Sequence, residues 1–161
     1  MSKSTYGTLI YRATRDGLSG EAFHSLCDGI ANTISIIRNN LNYVFGGYAS
    51  SAWKNWGYIS DPNSYIFSLR RNGKSFKDKF TIKNVDGCTA LYGCTACGPS
   101  FGRGHDFCVW SSDTNPTVYS HFGYSYNLPD ENSWDLKKKI QFLAGVSGES
   151  TITEIEVYQI D

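Results

Sequence analysis

Three features of the sequence point to a mainly β chain, a two-layer antiparallel β-sandwich with one or two short flanking helices. Aromatic side chains make up 15% of the residues, with 11 Tyr, 9 Phe and 4 Trp, and broad flat rings fill the surfaces of sheets. Short β-branched and apolar runs recur along the chain with turn signals between them, the pattern of an all-β fold. Only one segment joins helical spacing to clear end signals. The 161 residues suit a single domain spanning 1–161, since domains usually run ~100–150 residues.

Thr8–Arg12 reads as the first strand, and Asp16-Gly17 as a turn. The helix follows. Ser19 can cap it, Glu21 sits in the first turn where the helix dipole favours a carboxylate, and Gly29 stops it. Phe23, Leu26 and Cys27 fall on one face by their spacing, and His24 and Asp28 form an i, i+4 pair. Thr33–Arg38 and Tyr43–Tyr48 flank the turn 39–42 and predict a hairpin. Tyr65–Leu69 is closed by Asn72-Gly73, and Lys79–Ile82 continues that meander. Ala90–Tyr92, Phe107–Trp110, Gln141–Ala144 and Ile152–Ile160 complete the expected strands, with a weaker helix around Trp134–Lys139.

Composition narrows the function classes. Fifteen basic residues balance 15 acidic ones, so there is no basic stripe of the kind that tracks phosphates, and neither nucleic acid nor an anionic membrane surface is an expected partner. No apolar run approaches the ~20 residues that cross a bilayer, and Met1–Gly7 lacks the apolar core of a signal peptide. Five Cys, an odd number, read by default as free thiols of a cytoplasmic protein, with a secreted disulfide framework as the alternative.

Candidate chemistry centres on Cys94-Thr95-Ala96-Cys97 with His105 and Cys108 downstream. Counted as ligands these resemble a zinc set. If His105 and Cys108 share a strand, however, residues three apart point to opposite faces and diverge. Cys94 and Cys97 remain candidates for redox thiols. A thioredoxin-like role is excluded because Gly98-Pro99 follows at once, where a helix would have to open. The stretch Gly98-Pro99-Ser100-Phe101-Gly102-Arg103-Gly104-His105-Asp106 is no P-loop, lacking Gly-Lys-Ser/Thr, and no dinucleotide fingerprint, lacking a βαβ unit. Its glycines suit a tight connection. Glu154 and Glu156 share one strand face about 7 Å apart, a separation resembling paired glycosidase acids. Alike surroundings on one strand cannot drive two pKa values apart, so a polar anchor or docking residue is the better reading. No nucleophile elbow and no HExxH occurs.

Taken together, the segments resemble one family. Tyr11-Arg12-Ala13-Thr14-Arg15-Asp16-Gly17-Leu18-Ser19 with Phe23-His24 and Cys27-Asp28-Gly29 resembles the opening of the TLDc domain. Val44-Phe45-Gly46-Gly47-Tyr48 with Trp53, Asp61–Leu69, the glycine-rich stretch, Phe142-Leu143-Ala144-Gly145 and Glu154–Tyr158 are similar to later parts of that domain, in order. The resemblance is to the shorter version found in many protists and invertebrates, in which no helical segment precedes the first strand. It implies a β-sandwich with flanking helices and a role in protection against oxidative stress. For several animal members it implies binding to the vacuolar proton-pumping ATPase. It attaches no reaction and no cofactor. Cys94 and Cys97 depart from the family pattern.

The leading expectation is a non-enzymatic interaction module. Its surface would be the loops 46–53 and 98–105, anchored by Trp53, Trp56 and Arg103, residue types that dominate binding hot spots, with His105, Glu154 and Glu156 as family-motif positions. One rival is a thiol-dependent antioxidant activity of Cys94 or Cys97. Another is Ca²⁺ binding by loop carboxylates such as Asp61, Asp86, Asp113 or Asp130.

Overall fold

The computed structural model describes residues 7–146 and 150–160; Met1–Tyr6, most of the segment judged against a signal peptide, lie outside them. Two antiparallel sheets face one another. The first contains β1 (Thr8–Arg12), β2 (Thr33–Asn39), β3 (Val44–Ala49), β5 (Tyr65–Arg71), β6 (Lys74–Thr81) and β11 (Ile152–Gln159), in the order β1-β11-β2-β3-β5-β6. The second contains β4 (Trp56–Ile59), β7 (Leu91–Cys94), β8 (Cys97–Phe101), β9 (Phe107–Trp110) and β10 (Thr117–Tyr119), in the order β10-β9-β8-β7-β4. The β-sandwich predicted from aromatic content and recurring short strands is therefore what forms. Rings from both sheets meet between the layers, where Phe45 of β3 lies edge-on to Phe107 of β9 at 5.3 Å, and Trp53, from the connection between β3 and β4, lies edge-on to Phe101 of β8 at 5.6 Å.

Helices close the ends. α1 (Ala13–Asp16) is a single turn after β1 and was not expected. α2 (Gly20–Cys27) is the predicted helix: the Ser19 hydroxyl accepts the Ala22 N–H at 3.1 Å, and Gly29, at φ +80°, turns the chain away. Its buried face is Gly20, Phe23, His24 and Cys27. Leu26, expected there, lies on the flank and is exposed. Phe23 packs between Tyr11 and Trp53 at 5.7 and 5.4 Å, so α2 seals one end. Replacing Ser19 by alanine removes the cap and is expected to cost about 1 kcal/mol, about 3 °C of melting midpoint for a chain of this size. An unchanged midpoint would show that the cap carries no stability.

Other boundaries differ from expectation for local reasons. β6 begins at Lys74 because Asn72-Gly73 is a two-residue hairpin turn that pairs Arg71 with Lys74. The segment 141–144, expected as a strand, is the end of α3 (Leu136–Gln141) and the turn after it. Asp135 starts α3 by accepting the Lys138 N–H at 2.7 Å, and Phe142 then stacks on Phe122. A run of three apolar residues has no period that separates strand from helix. No helix among the described residues is long and apolar enough to cross a membrane.

Candidate functional site

The glycine-rich stretch divides into two parts with different physics. Residues 97–101 are β8, every one of them buried, so this half is inside the protein rather than on a recognition loop. Residues 102–106 make the turn into β9, and Asp106 organises it. Its carboxylate accepts the backbone N–H groups of Gly123, Ser125 and Tyr126 at 2.9, 2.9 and 3.2 Å. Gly102 has φ +92°, and a Cβ there would fall 2.0 Å from the Asp106 carboxylate, so only glycine lets the turn fold over it. Burial pushes the Asp106 carboxyl up to about 7, against the pull of its three N–H donors. The motif is thus a clamp between the turn 102–106 and the segment 123–126.

His105, at φ +58°, belongs to this turn and not to the strand. The divergence expected from a shared strand therefore does not occur: His105 and Cys108 line the same concavity. That hollow, of about 430 Å³, sits on the outer face of the five-stranded sheet and is lined by Tyr92, Cys94, Cys97, His105, Cys108, Trp110, Thr117 and Tyr119. The His105 ring packs edge-on against Tyr92 at 4.9 Å. Its Nδ1 is buried without a hydrogen-bond partner, and burial lowers its pKa. Among the described residues no Asp, Glu, Lys or Arg lines the hollow. Among the described residues no group of three or more His, Cys, Asp or Glu is arranged to hold a metal ion.

Aromatic side chains extend the hollow into a broad face. Trp56 is 70% exposed, Trp110 53% and Tyr119 50%, and Tyr58 lies beside Tyr92 at 5.2 Å. Lys54 covers the Trp56 ring at 4.1 Å. The Tyr58 hydroxyl donates to the Arg103 carbonyl at 3.0 Å, which ties the exposed Arg103 to the margin of this face. Alternation along β9 explains the layout: Phe107 and Val109 enter the core while Cys108 and Trp110 turn outward.

The thiols have a pairing that the Cys-x-x-Cys spacing does not suggest. Cys94 ends β7, Cys97 begins β8, and the turn between them is held by α2. There the His24 ring contacts the Cys94 carbonyl at 2.8 Å through Nε2 and Asp28 at 2.6 Å through Nδ1. The close sulfur contact is Cys97 to Cys108, 3.5 Å across β8 and β9. Contact with Cys97 and the Ser100 hydroxyl favours the Cys108 thiolate, while the Cys97 thiol is held protonated by the same pairing and by burial. Cys27 is a core thiol, pushed by burial up to about 12, and Cys88 is exposed in the 3-10 helix Asn84–Thr89.

The remaining predicted positions scatter. Trp53, expected as a surface anchor, is 2% exposed and donates from Nε1 to Thr33 at 2.9 Å. It plugs the sandwich end, because a ring that size completes the core between Phe23 and Phe101. Glu154 and Glu156 lie opposite the buried Ile155 and Val157 on β11, as alternation requires. Glu154 accepts from the Thr14 N–H at 3.1 Å and holds α1. Glu156 accepts from the Tyr158 hydroxyl and faces Arg12 at 3.7 Å. Asp61, the first of the proposed calcium ligands, is buried and accepts the N–H groups of Ser50, Ser51 and Asn63. Its oxygens are thereby committed to the loop. Signals for the aromatic face were present in the sequence as Trp56, Tyr58, Tyr92, Trp110 and Tyr119; what was missing was the strand pairing that assembles them.

The model of the TLDc domain family matches residues 2–161. No curated protein matches the chain.

Proposed function

This chain belongs to the TLDc family of oxidation-resistance-type domains, and from that premise we propose that it acts as a protein-interaction module whose docking surface is the aromatic outer face of the five-stranded sheet. The observation that carries the reading is the exposure of Trp56, Trp110 and Tyr119 around a hollow that, among the described residues, no Asp, Glu, Lys or Arg lines. Exposed aromatic clusters cost solubility and mark sites where another surface excludes water. Trp and Tyr also supply the largest contact area per immobilised side chain. Arg103 at the margin adds a charged rim contact. The surface is thus a sheet face rather than the loops 46–53 and 98–105, much of whose length is core.

The partner to test first is the vacuolar proton-pumping ATPase, which the family implies. An apolar, aromatic hollow suits a hydrophobic side chain presented by a neutral segment of such a partner. Binding of the purified chain to the purified pump should weaken about tenfold or more in Trp110→Ala and in Trp56→Ala, with melting midpoints within ~2 °C of the parent. Equal binding by parent and variants would place the contact elsewhere. No binding by the parent would remove this pump as the partner.

A further inference from the structure

We propose that Cys97 and Cys108 are a peroxide-oxidisable dithiol, a modification site on the outer face of the second sheet that closes to a Cys97–Cys108 disulfide. The inference rests on geometry and does not depend on the docking role. The two sulfurs are 3.5 Å apart on neighbouring strands, joined in a hydrogen bond. A disulfide needs about 2 Å, so closure takes side-chain rotation and an adjustment of the strands. The strand pairing is already relaxed there: the β8–β9 register shifts between Cys97 and Ser100. Both sulfurs border a hollow of about 430 Å³ that opens to solvent, large enough for a hydroperoxide. The half-exposed Cys94 at its edge widens that approach.

The two thiols are unequal. Cys108 is the more accessible sulfur, 5% exposed against 1% for Cys97 and on the outward-turned side of β9, and contact with Cys97 lowers its pKa. Reaction therefore starts at Cys108. Its thiolate attacks the O–O bond of a hydroperoxide, forming the sulfenic acid, and the alcohol or water leaves after taking up a proton. The Cys97 sulfur then attacks the Cys108 sulfur, the S–S bond forms, and water departs. Two thiols and one hydroperoxide give one disulfide, one water and one alcohol, or a second water where the oxidant is hydrogen peroxide. Cys97 is thus the resolving thiol. Neither Cys27, buried in the core, nor Cys88, exposed in the 3-10 helix Asn84–Thr89, has a sulfur partner of this kind among the described residues.

The experiment treats the reduced chain with one equivalent of hydrogen peroxide and follows intact mass and peptide maps. The expected product has lost the mass of two hydrogen atoms and contains linked Cys97 and Cys108 peptides. It should form at least about tenfold faster than any oxidation of Cys88, the exposed thiol that serves as internal control. In Cys97→Ser, dimedone should trap a sulfenic acid on Cys108. A Cys94–Cys97 link, trapping on Cys94, or oxidation no faster than at Cys88 would overturn the proposal. So would a metal ion retained by the thiols in native mass spectra of the untreated chain. Because the parent chain alone decides the linkage, a variant that fails to fold leaves the test intact.

Discussion

Replacing Asp106 by alanine is expected to cost about 4 kcal/mol, enough to leave a domain of ordinary stability marginal. The change strips the acceptor from the N–H groups of Gly123, Ser125 and Tyr126, and each buried donor left unpaired costs ~1–3 kcal/mol. Water entering the space recovers part of that, which is why the sum falls short of three full penalties. Asp106→Asn keeps one acceptor oxygen but turns an NH2 group against the other donors, so a loss of about 2 kcal/mol is expected. Urea denaturation of the three proteins measures both. A loss under 1 kcal/mol in the alanine variant would mean that the clamp between residues 102–106 and 123–126 is held by packing alone.

The same carboxyl sets a pH dependence. Its pKa is raised in the folded chain to about 7 from an ordinary value of 3.8. A carboxyl raised on folding stabilises the protein when protonated. That contribution is complete below the unfolded value and is lost as pH climbs through about 7. The stability advantage of the parent over Asp106→Asn should therefore grow by roughly 2 kcal/mol as pH falls from 8 to 5.5. Taking the difference between the two proteins removes His105, whose lowered pKa acts in the opposite sense, with stability lost on acidification. A gap that stays constant or narrows would show that the three N–H donors outweigh burial.

Asp106 also shows where sequence reasoning stops. Strands such as β2, β3 and β11 were legible because alternation is local: Ile155 and Val157 enter the core and Glu154 and Glu156 do not. The start of α2 was legible because Ser19 caps three residues ahead. The partners of Asp106 lie 17 to 20 residues downstream, and nothing in Gly-His-Asp foretells them. β8 was hidden by Gly98-Pro99, which reads as a breaker, yet a strand with an irregular register tolerates the missing N–H. The thiol pair was hidden for a related reason. Spacing draws attention to Cys94 and Cys97, whereas the short sulfur contact depends on how β8 is registered against β9 across that irregularity. The candidate site is made of cross-strand neighbours, and cross-strand neighbours are set by pairing, not by distance along the chain.

The second large effect concerns Trp53, where identical residue types carry opposite roles three positions apart. Trp53→Ala is expected to cost about 4 kcal/mol, the usual loss for removing a large core aromatic. The ring is 2% exposed, sits edge-on to Phe23 and Phe101, and holds Thr33 through its indole N–H. Trp53→Phe should recover about half of the loss, since a ring remains while the Thr33 hydroxyl loses its donor. Trp56, 70% exposed, should cost under ~0.5 kcal/mol when changed to alanine. The pair separates folding from recognition: Trp53→Ala would lose a partner only in proportion to the fraction unfolded, recovering it at low temperature or with a stabilising osmolyte. Trp56→Ala would stay deficient under every condition in which it is folded. Were Trp53→Ala to melt like the parent chain, the plug between α2 and the two sheets would not exist as described, and the 46–53 loop would be free to carry recognition in place of the sheet face.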